Sequence, residues 1–134
     1  MDLQLTNKKA LVTGSTAGIG LAIATSRLKE GAAVIINGRS EARIDQAIAG
    51  LQNAIPGCNV TGIVADFSNV QQVDELIKKA GDIDILINNI GIFEPKQFFD
   101  IPDKDWFNFF EVNVLSGVRL SRAFMPYMLQ QNCG

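Results

Sequence analysis

Residues 13–20 read Thr-Gly-Ser-Thr-Ala-Gly-Ile-Gly. They follow a short apolar run and open an amphipathic stretch, as a turn between a strand and a helix would. Glycine at 14 permits a tight turn, glycine at 18 lets the backbone approach a pyrophosphate, and glycine at 20 lets the helix pack closely on a sheet. The unpaired N–H groups of such a helix start, with the positive end of its dipole, can hold phosphates. Gly14, Ser15, Thr16, Gly18, Ile19 and Gly20 are therefore the candidate phosphate-binding residues. No Gly-Lys-Ser/Thr follows, which disfavours nucleotide hydrolysis. The competing reading is that these glycines only punctuate a turn.

About 20 residues beyond that loop lies Asn37-Gly38-Arg39-Ser40, at the end of a second apolar run. A carboxylate at this place would bind the ribose 2′-hydroxyl of NAD, whereas an arginine can pair with the 2′-phosphate of NADP. This segment holds no carboxylate before Glu41, so Arg39, with Ser40 beside it, favours NADP, and NAD is the lesser candidate. The alternative is a solvated loop arginine. Asp66-Phe67 closes a third apolar run, and Asn88-Asn89-Ile90-Gly91 a fourth. Asn113 is one amide on an apolar stripe, where burial without partners would cost about 1–3 kcal/mol. With no histidine or paired lysine, Ser116 and Ser121 read as surface serines of a helix rather than nucleophiles.

These residues need a scaffold, and the hydrophobic pattern supplies one. Ala10–Val12, Ala32–Ile36, Val60–Ala65 and Ile83–Ile87 are apolar runs of strand length. Between them lie helical patterns: Ile19–Glu30, buried on most sides; a second with Ile44, Ala47, Ile48 and Leu51 on one face, capped by Ser40; and a third with Val73, Leu76 and Ile77, begun by a Ser68–Gln71 capping box. Ile90–Ile101 is irregular. Pro102 suits the start of a long helix towards Leu129, with Trp106, Phe109, Phe110, Asn113, Gly117, Leu120 and Phe124 on one stripe, ended or bent by Pro126. Trp106, Phe107, Phe109 and Phe110 read as core or helix-interface residues. Strands alternating with helices, apolar on both faces, predict an α/β, doubly wound, Rossmann-like parallel sheet covered by helices on both faces.

Composition narrows the function classes. The 134 residues suit one domain, 1–134, and 47% apolar with 19% charged residues exclude disorder of the whole chain. Twelve basic and 14 acidic residues, with no basic run, leave no footprint for nucleic acid. Without histidine there is no Ser-His-Asp hydrolase and no His-ligated zinc, and no metal is expected. Cys58 and Cys133 read as free thiols in a reducing compartment. Neither a leader nor a membrane span is apparent, so the expected location is cytoplasmic.

Thr13-Gly-x-x-x-Gly18-Ile19-Gly20, then Asn88-Asn89-Ile90-Gly91, then Asn113 together resemble the short-chain dehydrogenase/reductase family, over the chain from about Thr6 onward. Ile90 stands where the family usually has alanine. The resemblance implies strand order 3-2-1-4, an adenine amino group bonded by Asp66 with help from the Phe67 backbone, and a cofactor ribose lined by Asn89 and Gly91. Asp66 could also be a plain turn residue, and Asn88 a structural one. Asn113 would order a water in a proton relay, or keep only a structural bond. The family's catalytic serine and its Tyr-x-x-x-Lys pair find no counterpart, because Tyr127 is followed four residues later by Gln131.

The expectation is an NADP(H)-dependent oxidoreductase moving a hydride to or from a small carbonyl or alcohol, represented by its cofactor-binding portion and inactive by itself. The alternatives are a non-catalytic nucleotide-binding module and an assembly module. An open edge at the fourth strand predicts a homo-oligomer.

Overall fold

The computed structural model describes residues 2–134. Strands β1 (Lys9–Val12), β2 (Ala33–Gly38), β3 (Val60–Val64) and β4 (Ile85–Ile87) form one parallel sheet in the order β3-β2-β1-β4. This is the expected 3-2-1-4. Leu11 stands opposite Ile35 on one side and Leu86 on the other. Helices α1 (Gly18–Lys29), α2 (Glu41–Ala54) and α3 (Val70–Ala80) connect the strands. After β4 come a 3₁₀ turn (Phe98–Asp100), α4 (Asp103–Phe110), a π-helical segment (Glu111–Leu115) and α5 (Ser116–Gln130).

Alternation along the strands sends side chains into two separate cores. Ala10, Val12, Val34 and Ile36 pack with Ala24 and Leu28 of α1 and Ile44, Ala47 and Leu51 of α2. Leu11 and Ile35 face the other way, onto Val73 and Leu76 of α3, Val112, and Leu120 and Phe124 of α5. Helices thus cover both faces of the sheet.

Several local expectations need correction. Helix α1 buries only the stripe Gly20, Ala24 and Leu28, and Ile19 is 75% exposed. Strand β2 runs on through Asn37 and Gly38, because Asn37 finds partners for its buried amide, whereas β4 is reduced to three residues. Asn69, not Ser68, caps α3: its Oδ1 accepts from the N–H groups of Gln71 and Gln72, while Ser68 turns its hydroxyl to Asp66. Pro126 lies inside α5 without ending it, since one missing N–H removes a single bond from a 15-residue helix.

The single stripe expected along the last helix is also wrong. The buried positions are Val112, Ser116, Leu120 and Phe124, each four residues after the last. That step exceeds the 3.6-residue period, and the wider π turn takes up part of the difference. Ser116 is accordingly buried, not superficial, and its hydroxyl donates to the Val112 carbonyl at 2.6 Å. Upstream, α4 buries nothing: Trp106, Phe107 and Phe110 are exposed, and of its aromatic residues only Phe109 is half-buried.

Candidate functional site

The chain reverses its strand order between β1 and β4, which opens a crevice at the C-terminal ends of the strands. The β1–α1 loop sits at its centre. Gly14 and Gly18 both adopt left-handed backbone (φ +59° and +56°), which glycine accepts without strain. A side chain at 18 would meet nothing within 4 Å, so the backbone there faces open space. At Gly20 a side chain would collide with the Gly14 carbonyl and with Asn89 Nδ2. Gly20 therefore fits α1 against the loop and Asn89 rather than against the sheet.

Two polar latches hold the loop. On the β2 side, Asn37 Oδ1 accepts from Gly14 N–H at 3.1 Å, and the Asn37 carbonyl accepts from Ser15 N–H at 2.9 Å. Ser15 Oγ donates to the Val12 carbonyl at 2.6 Å and accepts from Asn37 N–H at 2.9 Å. On the β4 side, Thr13 Oγ1 accepts from the N–H groups of Asn89 and Ile90 at 2.9 and 3.0 Å. Asn89 Nδ2 answers by donating to the carbonyls of Thr13 and Gly14 at 3.0 and 3.1 Å.

These bonds sort the loop residues. Gly14 and Ser15 have their donors engaged inside the protein, so both shape the loop and neither offers a hydrogen to a ligand. Free donors begin at the start of α1, where the first helical bond runs from Leu21 N–H to the Ala17 carbonyl. The N–H groups of Gly18, Ile19 and Gly20 precede it and have no intrahelical acceptor. Ser40 and Asn69 cap α2 and α3 with their side chains, whereas Ala17 gives α1 no cap. An acceptor from outside fits that helix end.

A crevice of about 120 Å³ brings together Arg39, Asp66, Phe67, Gly91, Asn108 and Val112 from four chain segments. Arg39 is exposed and has no carboxylate within salt-bridge distance among the described residues. Partial burial raises the Asp66 carboxyl, but the N–H and hydroxyl of Ser68 and the positive charge of Arg39 outweigh it, holding Asp66 below the usual carboxylate value. The Phe67 ring lies in the core, so only its backbone can face a ligand. Ser40 Oγ accepts from Arg43 N–H at 3.4 Å and keeps its own proton to donate. A larger groove, about 610 Å³ between α1 and α2, shares only Thr16 with the candidate set.

Asn113 lies in the π segment and is exposed rather than buried. Its Oδ1 accepts from Ile92 N–H at 2.7 Å and its Nδ2 donates to the Ile92 carbonyl at 3.0 Å. One donor and one lone pair of the amide are left over. Asn88 Nδ2 donates to Ser121 Oγ at 3.3 Å, tying β4 to α5. Sequence reading missed Thr13 and Asn37 as organisers of the site; the available signal was a polar residue closing a continuous apolar run.

Comparison with known proteins bears on this arrangement. The sequence model described as short chain dehydrogenase matches residues 8–134. The oxidoreductase YvaG of Bacillus subtilis, itself uncharacterized, is 48% identical over 134 residues, covering all of this chain and 51% of that protein. D-beta-hydroxybutyrate dehydrogenase of Cupriavidus necator is 37% identical, covering 97% of this chain and 51% of its own. L-sorbose reductase of Gluconobacter frateurii, solved with NADPH and L-sorbose, superposes with a TM-score of 0.90 at 32% identity, over 98% of this chain and 51% of that one. The chain spans about half the length of these relatives.

Proposed function

The chain belongs to the short chain dehydrogenase family, and from that premise we propose that its crevice binds NADP(H) in preference to NAD(H) for oxidoreduction of a small carbonyl or alcohol compound. The observation that carries the preference is Arg39, an unpaired cation at the end of β2 with no carboxylate ahead of Glu41. The NADPH bound to the L-sorbose reductase supports it.

In this reading the N–H groups of Gly18, Ile19 and Gly20 receive the pyrophosphate, with Thr16 at the edge of the loop. Gly14 and Ser15 set its shape. Arg39 and the Ser40 hydroxyl meet the 2′-phosphate. Asp66, kept ionised by Ser68 and Arg39, accepts from the adenine amino group, and the Phe67 backbone lies alongside. Asn89 and Gly91 border the ribose. When bound, the nicotinamide supplies or accepts the hydride. Asn113, with one donor and one acceptor free, holds a water on the substrate side.

Acid–base chemistry at the substrate needs a group that these 134 residues do not present, since Tyr127 has Gln131 rather than lysine one turn on. We therefore expect them to bind nucleotide without turnover. The test is a fluorescence titration with NADPH and NADH. Tighter binding of NADPH by about tenfold or more supports the reading, as a charge-assisted pair to a phosphate would give. Equal affinities overturn it.

A second reading, assembly, is favoured by one observation: Phe98, Phe99, Trp106, Phe107 and Phe110 are all more than half exposed, and among the described residues the outer edge of β4 is unpaired. A second copy of the chain covering this face would make a homo-oligomer, visible as a mass above the monomer in light scattering.

A further inference from the structure

Asn37 is fully buried at the C-terminal end of β2, yet it is polar and follows four apolar residues of that strand. Its side chain faces two elements at once. Oδ1 accepts from Gly14 N–H in the glycine loop, and Nδ2 donates to the carbonyls of Ile63 and Ala65, at 3.1 and 3.4 Å, on either side of the end of β3. Ala65 immediately precedes Asp66 and Phe67, which line the Arg39 crevice. One amide thus joins the phosphate end of the candidate site to its base end.

An amide suits this position because it offers an acceptor and two donors in one rigid plane. A carboxylate would face two carbonyls with no hydrogen to give, and an apolar side chain would strand the Gly14 N–H and take a donor from both carbonyls. The loop's other ties, through Thr13, Ser15 and Asn89, run to β1, β2 and β4. Among the described side chains, only Asn37 bridges the loop to the end of β3.

We propose that Asn37 is a positioning residue, fixing the glycine loop relative to the Asp66 segment so that a ligand with phosphates at α1 and a base at β3 is recognised as one rigid piece. This rests on the nucleotide reading above.

The test compares wild type with Asn37→Thr, which keeps the bulk and suits a strand but loses the amide, and with Asn37→Asp, which keeps the acceptor for Gly14 and loses the donors. Amide hydrogen exchange, measured without ligand, decides the structural half. Gly14 N–H should exchange about tenfold faster in the threonine variant and stay protected in the aspartate variant. Three probes then decide the binding half: NADPH, which spans both ends; inorganic pyrophosphate; and adenosine 2′-monophosphate. Loss of one bridging amide should weaken NADPH by about fivefold to tenfold, with both fragments within about twofold of wild type. Unchanged Gly14 exchange, or an equal loss for all three probes, overturns the proposal. If the wild type binds no NADPH, the nucleotide reading fails, and Gly14 exchange still decides whether Asn37 holds the loop.

Discussion

The ends of β1, β2 and β3 and the segment after β4 are built on opposite terms. At the strand ends, Thr13, Ser15 and Asn37 are wholly buried, and among the described residues no buried side-chain polar atom lacks a partner. Past β4, Phe93 and Phe99 are 87% and 96% exposed and α4 buries nothing. The first region is complete in itself, because hydrogen bonds between neighbouring loops need nothing from outside. The second holds its shape through polar clasps, Asn113 on Ile92 and Lys96 on Asp105 and Glu94, while its apolar surface is exposed. A satisfied polar lattice resists change at a single atom; a bare apolar face tolerates change and alters only what it sticks to.

Substitutions at the two regions should therefore behave very differently. Gly20→Val places a branched side chain against the Gly14 carbonyl and the Asn89 amide, and should cost about 3 kcal/mol or more of stability, together with NADPH binding. Urea denaturation measures the first and fluorescence titration the second; a variant as stable as wild type would mean the loop can yield. Arg39→Asp should reverse the ratio of NADPH to NADH affinity, a swing of about tenfold to a hundredfold, with the melting temperature unchanged. A preserved ratio would place the selecting charge elsewhere.

On the bare face, Phe107→Ser should change folding stability by no more than about 0.5 kcal/mol, because the ring is 74% exposed. It should still lower the mass seen by light scattering if a second copy covers that ring. The smallest effect concerns acid. Asp66 titrates lower in the folded chain than in the unfolded one, so its contribution is present above the ordinary carboxylate range and fades as pH falls through the depressed value. Asp66→Asn should flatten that acid limb of the stability curve by lowering stability slightly at neutral pH, with the two proteins converging in acid. An identical acid limb in both proteins would show that the Ser68 bonds add nothing to folding.

Much of this was readable from residue types. Apolar runs closed by turn residues located the strands, and Gly14 and Gly18 announced the loop, because positive φ selects glycine strongly. Arg39 was legible as a charge without a neighbouring carboxylate. The sequence marks Ser15 as a loop residue, but nothing in its neighbours shows that its hydroxyl turns inward to Val12. Asn37 reads as no more than the close of an apolar run, because its partners, Gly14, Ile63 and Ala65, are distant in sequence and meet only when the sheet forms. The exposed aromatics read as core or helix-interface residues on hydrophobicity alone, which states what a side chain prefers and not whether a neighbour is there to receive it.

The π segment has a consequence for helical phase. Each residue in an α-helix turns the next by about 100°. A five-residue stretch wound wider holds one residue more than an α turn would, so α4 and α5 are two rotors coupled out of step. Trp106 and Phe110 face outward while Leu120 and Phe124 face the sheet, although regular winding would align them. Winding all of 111–115 as regular α-helix would restore the alignment by force: with α5 anchored in the core, α4 would swing by about 100°, carrying Asn113 away from Ile92, whereas removing one residue at the same time would leave the two helices in their present phase.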